Sequence, residues 1–194
     1  ELGLEHERLD AGFTYGVVDT PEYRAMNPNG KVPTIRDGEA APLFESGAIL
    51  RYLAGRYGGD PFWPGDPDAR AQVDQWAEWA KINVAQAFTA PIFWRVVRVP
   101  AARRDPEAIV AATAELETLL AIADARLADS ACLVGEHLTL ADIQLGHLLY
   151  RYYTIDIERG TALPHLRRYY DALAARAAYR DTVMVSYAEL IDSM

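Results

Sequence analysis

Asn27-Pro28-Asn29-Gly30-Lys31-Val32-Pro33, followed further on by Glu45-Ser46, is the stretch that decides the reading of this chain. Asn-Pro and Asn-Gly are turn dipeptides, because Pro fixes φ and Gly admits φ > 0. Two in succession predict a compact loop. Val32-Pro33-Thr34-Ile35 then opens a short β-prone run. Pro33 has no N–H, so it belongs at a strand's first position or on an edge. A proline there is a candidate for a cis bond, which would turn the amide and carbonyl of Val32 outward to pair with an extended ligand. Ala41-Pro42-Leu43-Phe44 reads as a second short strand. Ser46 comes next as the expected N-cap of a helix with Ile49, Tyr52, Leu53 and Arg56 at helical spacing, stopped by Gly58-Gly59. Free N–H groups at a helix start, with a serine hydroxyl, bind a carboxylate. Glu45 beside them would pair with an ammonium. The two halves together suit a small peptide with charged ends.

Composition narrows the partners. The 194 residues are 51% hydrophobic and carry a net charge of −9 with a pI near 4.9. Such an acidic chain does not suit nucleic acid, which needs basic patches, and disfavours anionic membrane surfaces. No apolar run approaches the ~20 residues of a spanning helix, and no signal peptide is visible. One cysteine, Cys132, excludes an intrachain disulfide and suits a reducing compartment, so cytoplasm is the expected location. His6, His137, His147 and His165 lack metal-ligand spacing, so no metal site is expected. Gly30-Lys31 is not a phosphate-binding loop, since that motif needs Gly at position 25 and Ser or Thr at 32, where Ala25 and Val32 stand.

Outward from this stretch, residues 1–58 mix short β-prone runs with one clear helix, and 59–67 are dense in Gly and Pro, as a linker is. Residues 68–194 are helical in pattern. Val73, Trp76, Trp79 and Ala80 recur at three-to-four spacing in a helix reaching about Phe88, with an aromatic-rich extension towards Trp94. Asp105 is an expected N-cap with Pro106 at the first helical position. Ile109, Ala112, Leu116, Leu119, Leu120, Ala123 and Leu127 form the core stripe of the next helix. Thr139 and Asp142 read as a capping box, with Leu138 and Ile143 as its hydrophobic staple. By analogy with other caps, Asp142→Ala would cost about 0.5–2 kcal/mol. Pro164 opens a further helix with Leu166, Tyr169, Tyr170 and Leu173 on its apolar face.

In this ordered set the chain resembles soluble, bacterial-like glutathione S-transferases over essentially its whole length. The resemblance implies an α/β thioredoxin-like N-terminal domain that binds glutathione (1–58, N-terminally incomplete), a linker (59–67) and an all-α domain (68–194). It implies that Val32 pairs with the cysteinyl backbone of glutathione and that Pro33 is the cis-proline. Glu45 and Ser46 would hold the γ-glutamyl end, and Lys31 would reach the glycyl carboxylate. The Thr139–Asp142 box would be a folding determinant. Glutathione would be a co-substrate rather than a resident cofactor, its thiolate attacking a small hydrophobic electrophile, in a homodimer. A glutathione-dependent disulfide reductase or dehalogenase, or a non-catalytic ligand-binding module, are alternatives on the same scaffold. The family begins with a strand and a loop bearing a Ser, Tyr or Cys that activates the thiol. Glu1-Leu2-Gly3-Leu4-Glu5 resembles the end of its first helix, and His6-Glu7-Arg8-Leu9 is expected to be its second strand. The first strand, the activating residue and most of helix one are therefore expected to be missing here. No catalytic residue is named, and Cys132 matches no catalytic position.

Overall fold

The computed structural model describes residues 1–194 and divides into two units, Glu1–Asp60 and Pro61–Met194. In the first unit, α1 (Pro21–Met26) starts with Pro21 at its first position, and Thr20 Oγ1 accepts the Tyr23 N–H at 3.2 Å. Strands β1 (Thr34–Ile35) and β2 (Leu43–Phe44) form an antiparallel pair in the register Thr34↔Phe44 and Ile35↔Leu43. Helix α2 (Ser46–Leu53) begins at once and runs into a π-helical turn, Ala54–Gly58, ended by Gly59 at φ 76°. Residues 6–9, expected as a strand, form none. They are exposed, and β1–β2 is a two-stranded sheet that offers them no ladder. A lone extended segment leaves its backbone groups to water.

The second unit begins with α3 (Pro67–Trp79), whose cap Asp66 accepts the Ala69 N–H at 2.8 Å. The helix does not stop at Trp79. A π turn (Ala80–Val84), α4 (Ala85–Phe88), a second π turn (Thr89–Trp94) and α5 (Arg95–Val97) continue it. Pro91 lies in the second π turn. Proline has no N–H to give and its ring crowds the preceding turn, which a wider turn accommodates. Helix α6 (Pro106–Arg126) is capped as expected, with Asp105 Oδ1 accepting the Ala108 N–H at 3.0 Å.

Helix α7 (Leu140–Thr154) is buried or half-buried along nearly its whole length and is the centre of the unit, with Leu140, Ala141, Leu145 and Leu149 buried. Val73, Ala77, Ala80, Val84, Phe88, Ile92, Phe93, Val96 and Val97 are the buried positions of the long α3–α5 helix. Phe88 meets Tyr152 of α7 edge-on at 6.4 Å. Two carboxylates on α6 organise the later segments of the unit. Glu117, buried, accepts from the Tyr152 hydroxyl (3.1 Å) and the Gly160 N–H (3.2 Å). Asp124 accepts the Leu166 N–H at 2.8 Å, satisfying an orphan donor at the start of α8 (Pro164–Ala174). Helix α9 (Ala177–Thr182) packs back through Tyr179, whose hydroxyl donates to the Gly146 carbonyl at 2.6 Å. No helix is long and apolar enough to cross a membrane.

Candidate functional site

The Asn27–Pro33 loop is held from beneath. Asn27, buried, donates through Nδ2 to the Lys31 carbonyl at 2.6 Å and to Thr34 Oγ1 at 3.2 Å. Its Oδ1 accepts the Asn29 N–H at 3.1 Å, an Asx turn that fixes the Asn-Gly corner. The buried Tyr23 of α1 donates its hydroxyl to the same Lys31 carbonyl at 2.8 Å and lies 3.0 Å from Thr34 Oγ1. Two side chains, both braced on Thr34 Oγ1, thus fix the peptide unit just before Val32. The Val32–Pro33 bond is cis. Val32 is 55% exposed, and neither its N–H nor its carbonyl has a partner within the chain. Such an edge accepts an extended segment by main-chain pairing.

Across the β1–β2 hairpin stand Glu45 and Ser46, both exposed. The helix begins one residue earlier than its sequence suggests: Ser46 is its first residue, and Glu45 occupies the cap position without a side-chain cap bond. The cause is Glu45's backbone, at φ 69° and ψ 112°, which breaks the chain direction ahead of the serine. The first intrahelical bond runs from the Ile49 N–H to the Glu45 carbonyl at 2.9 Å, leaving the N–H groups of Ser46, Gly47 and Ala48 for an outside acceptor. A non-glycine residue held in such a conformation costs on the order of 1–3 kcal/mol, and strain of this kind gathers at ligand clamps.

The other end of α2 is tied to the hairpin turn. The Tyr57 and Tyr52 hydroxyls donate to Asp37 Oδ2 at 2.6 and 2.7 Å, with Arg56 Nε at 3.3 Å. These donors, Tyr57 first and then Tyr52, hold the Asp37 carboxyl below its ordinary range. In turn, Asp37 pushes the Tyr52 phenol up. Helix, turn and strand pair thereby form one frame carrying Glu45 and Ser46. Tyr23, Thr34 and Asp37 are positioning residues that motif reading passed over. The partners that matter here lie 7 to 20 positions away, beyond any local pattern. Tyr23→Phe is expected to lower stability by about 1 kcal/mol and to weaken ligand binding at Val32, measured by urea unfolding beside calorimetry.

The Thr139–Asp142 box opens α7 in the second unit. Asp142 Oδ2 accepts the Thr139 N–H at 2.7 Å and the Thr139 hydroxyl at 2.9 Å. Cys132 lies nearby, its thiol pKa pushed up to about 12 by burial and then by the Asp142 charge. It is a thiol rather than a thiolate at neutral pH and offers no nucleophile.

Comparison with known proteins bears on the family of the chain. Residues 1–56 match the glutathione S-transferase N-terminal domain family and residues 84–177 the glutathione S-transferase C-terminal domain family. Glutathione S-transferase GstB of Escherichia coli K12 is 37% identical over 186 residues, spanning 95% of this chain and 88% of GstB. The theta class glutathione S-transferase of Xanthomonas axonopodis pv. citri, solved with glutathione bound, is 42% identical and superposes with a TM-score of 0.88 over 95% of this chain and 87% of its own. Glutathione S-transferase-I bound with lactoylglutathione is 26% identical, with a TM-score of 0.81 over 98% and 89%.

Proposed function

This chain belongs to the glutathione S-transferase family, and from that premise we propose that Lys31, Val32, Pro33, Glu45 and Ser46 enclose one glutathione molecule. The protein is a glutathione S-transferase with the family's thioredoxin-like N-terminal domain and helical C-terminal domain. The observation that carries the site assignment is the pairing of an unengaged Val32 main chain with the free amides of the α2 N-terminus. Val32 pairs with the cysteinyl backbone, and Pro33 shapes that edge. The γ-glutamyl carboxylate takes the Ser46 hydroxyl and the α2 amides, where the helix dipole favours negative charge. Its ammonium pairs with Glu45. Lys31 meets the glycyl carboxylate as a point charge.

Held at both ends, the tripeptide presents its sulfur at a fixed place. The thiolate attacks the electrophilic carbon, a C–S bond forms, and the leaving group departs with its electron pair. Fixing both reactants supplies a large part of such a rate gain. We assign no residue of this chain as the thiol-activating group. The electrophile we propose is small and hydrophobic, the working state a homodimer, and the location cytoplasmic.

Calorimetric titration with glutathione tests the site. Ser46→Ala is expected to weaken binding roughly tenfold, the worth of a hydrogen bond to a charged group, with unchanged thermal stability. Equal affinity for wild type and variant would sink the assignment.

A further inference from the structure

We infer that Arg24, braced by Asp19, is a positioning residue for Lys31 and makes binding depend on the glycyl end of glutathione, an inference that rests on the glutathione reading of Lys31 above. Helix α1 is six residues long, too short to stand by its own hydrogen bonds, so the loop that leaves it is held by side chains. The grip of Tyr23 and Asn27 falls on the Lys31 carbonyl. Arg24 works on the stretch of loop before it. Its Nη2 meets Asp19 Oδ1 at 2.6 Å, and its Nη1 donates to the Pro28 carbonyl at 3.4 Å. The guanidinium therefore bridges the segment before α1 and the corner after it.

Gly30 lies against that bridge. Its N–H donates to the Asn27 carbonyl at 3.0 Å, closing the corner, and its φ of 60° is one that glycine adopts freely. A Cβ at Gly30 would stand 3.0 Å from Arg24 Nη2 and 3.1 Å from the Val18 carbonyl oxygen. Both distances are shorter than ordinary contact, so the guanidinium and that carbonyl rest directly on the glycine. Two peptide planes meet at the Lys31 Cα and set the direction of its side chain. Tyr23 and Asn27 fix the later plane through the Lys31 carbonyl. Arg24 fixes the earlier one through Gly30 and Pro28. Arginine suits this role, because its planar fork reaches two acceptors at once. The side chains of Arg24 and Asp19 are 49% and 84% exposed, and such a pair adds little to stability. Its effect is on geometry. Without it the corner samples more conformations, and the lysine loses its aim. The Val32 edge keeps the grip of Tyr23 and Asn27, so the γ-glutamyl-cysteinyl part of the ligand is indifferent to Arg24.

The test is calorimetry on the full chain with glutathione and with γ-glutamylcysteine, which lacks the glycine. Wild type is expected to bind glutathione about tenfold more tightly than the dipeptide. Arg24→Ala is expected to lose about fivefold in glutathione affinity. It should hold the dipeptide within about twofold of wild type, which also reports that the variant is folded. Asp19→Ala, at an exposed position, should show the same selectivity with a loss of about threefold. In a Lys31→Ala background, Arg24→Ala should change glutathione affinity by less than about twofold, because the residue it acts through is gone. Arg24→Ala binding glutathione as tightly as wild type overturns the inference. So does an equal fall for both ligands, or a loss that persists without Lys31. Equal affinities of wild type for the two ligands are a separate result: Lys31 would then not read the glycyl carboxylate, and the inference would fall with that reading.

Discussion

Asp142→Ala is expected to lower the unfolding free energy by about 3–5 kcal/mol, well beyond an ordinary cap deletion. Asp142 is 0% exposed, and its carboxylate meets four donors. Oδ2 takes the Thr139 N–H and hydroxyl, while Oδ1 takes the Leu133 N–H at 2.9 Å and the Tyr169 hydroxyl at 2.8 Å. One side chain thus joins the start of α7, the loop before it and α8. Burial pushes the Asp142 carboxyl above its usual range, opposed by the Leu133 and Thr139 amides and the two hydroxyls. Truncation to alanine removes the acceptor and leaves two buried amides and a buried phenol unmet. Each orphaned donor costs about 1–3 kcal/mol, less where water enters. Tyr169→Phe, which removes one donor and keeps the acceptor, is expected to cost only about 1 kcal/mol. Urea unfolding of the two variants measures the difference, and calorimetry below the transition should show unaltered glutathione affinity for both. A loss below about 1 kcal/mol for Asp142→Ala would mean that the four contacts do not act as a unit.

The contrast between that figure and the smaller one drawn from capping alone shows what kind of information the sequence carries. Thr139 and Asp142 sit three residues apart, so their box is written locally, as is the Asp105-Pro106 start of α6. The convergence of Leu133 and Tyr169 on the same carboxylate depends on packing between segments 9 and 27 residues distant. No periodicity encodes it. The candidate site divides in the same way. Val32-Pro33 and Glu45-Ser46 are visible as turn and helix-start chemistry, whereas the grip of Tyr23 and Asn27 on the Lys31 carbonyl appears only once α1 folds against the loop. Two expectations fail for physical reasons. The β-prone look of residues 6–9 needs a neighbouring strand to become a strand. Residue type alone points to Ser46 as the cap, but the positive φ of Glu45 moves the boundary, and φ is not a property that composition reports.

Glu45 is where that backbone property and the chemistry meet, and it yields a prediction of opposite signs. Replacing Glu45 with Ala or with Gly removes the carboxylate proposed to pair with the γ-glutamyl ammonium. Both variants are expected to lose about 10- to 100-fold in glutathione affinity, the worth of a charge-assisted contact. Their stabilities should diverge. Alanine at φ 69° and ψ 112° keeps the steric penalty that glutamate suffers there, because the penalty comes from Cβ. Glycine has no Cβ and relaxes it, at the expense of more freedom to lose on folding. The relief is on the order of 1–3 kcal/mol and the entropic cost about 0.5–1 kcal/mol, so Glu45→Gly should unfold at higher urea than Glu45→Ala by about 1 kcal/mol. A carboxylate retained at a strained position, where glycine would be more stable, marks the conformation as serving the ligand rather than the fold. If the glycine variant proved no more stable than the alanine variant, the strain would be absent from the free protein. If both variants bound glutathione as tightly as wild type does, Glu45 would have no part in holding the ammonium, and the mixed-charge clamp at the head of α2 would reduce to the serine hydroxyl and the helix amides.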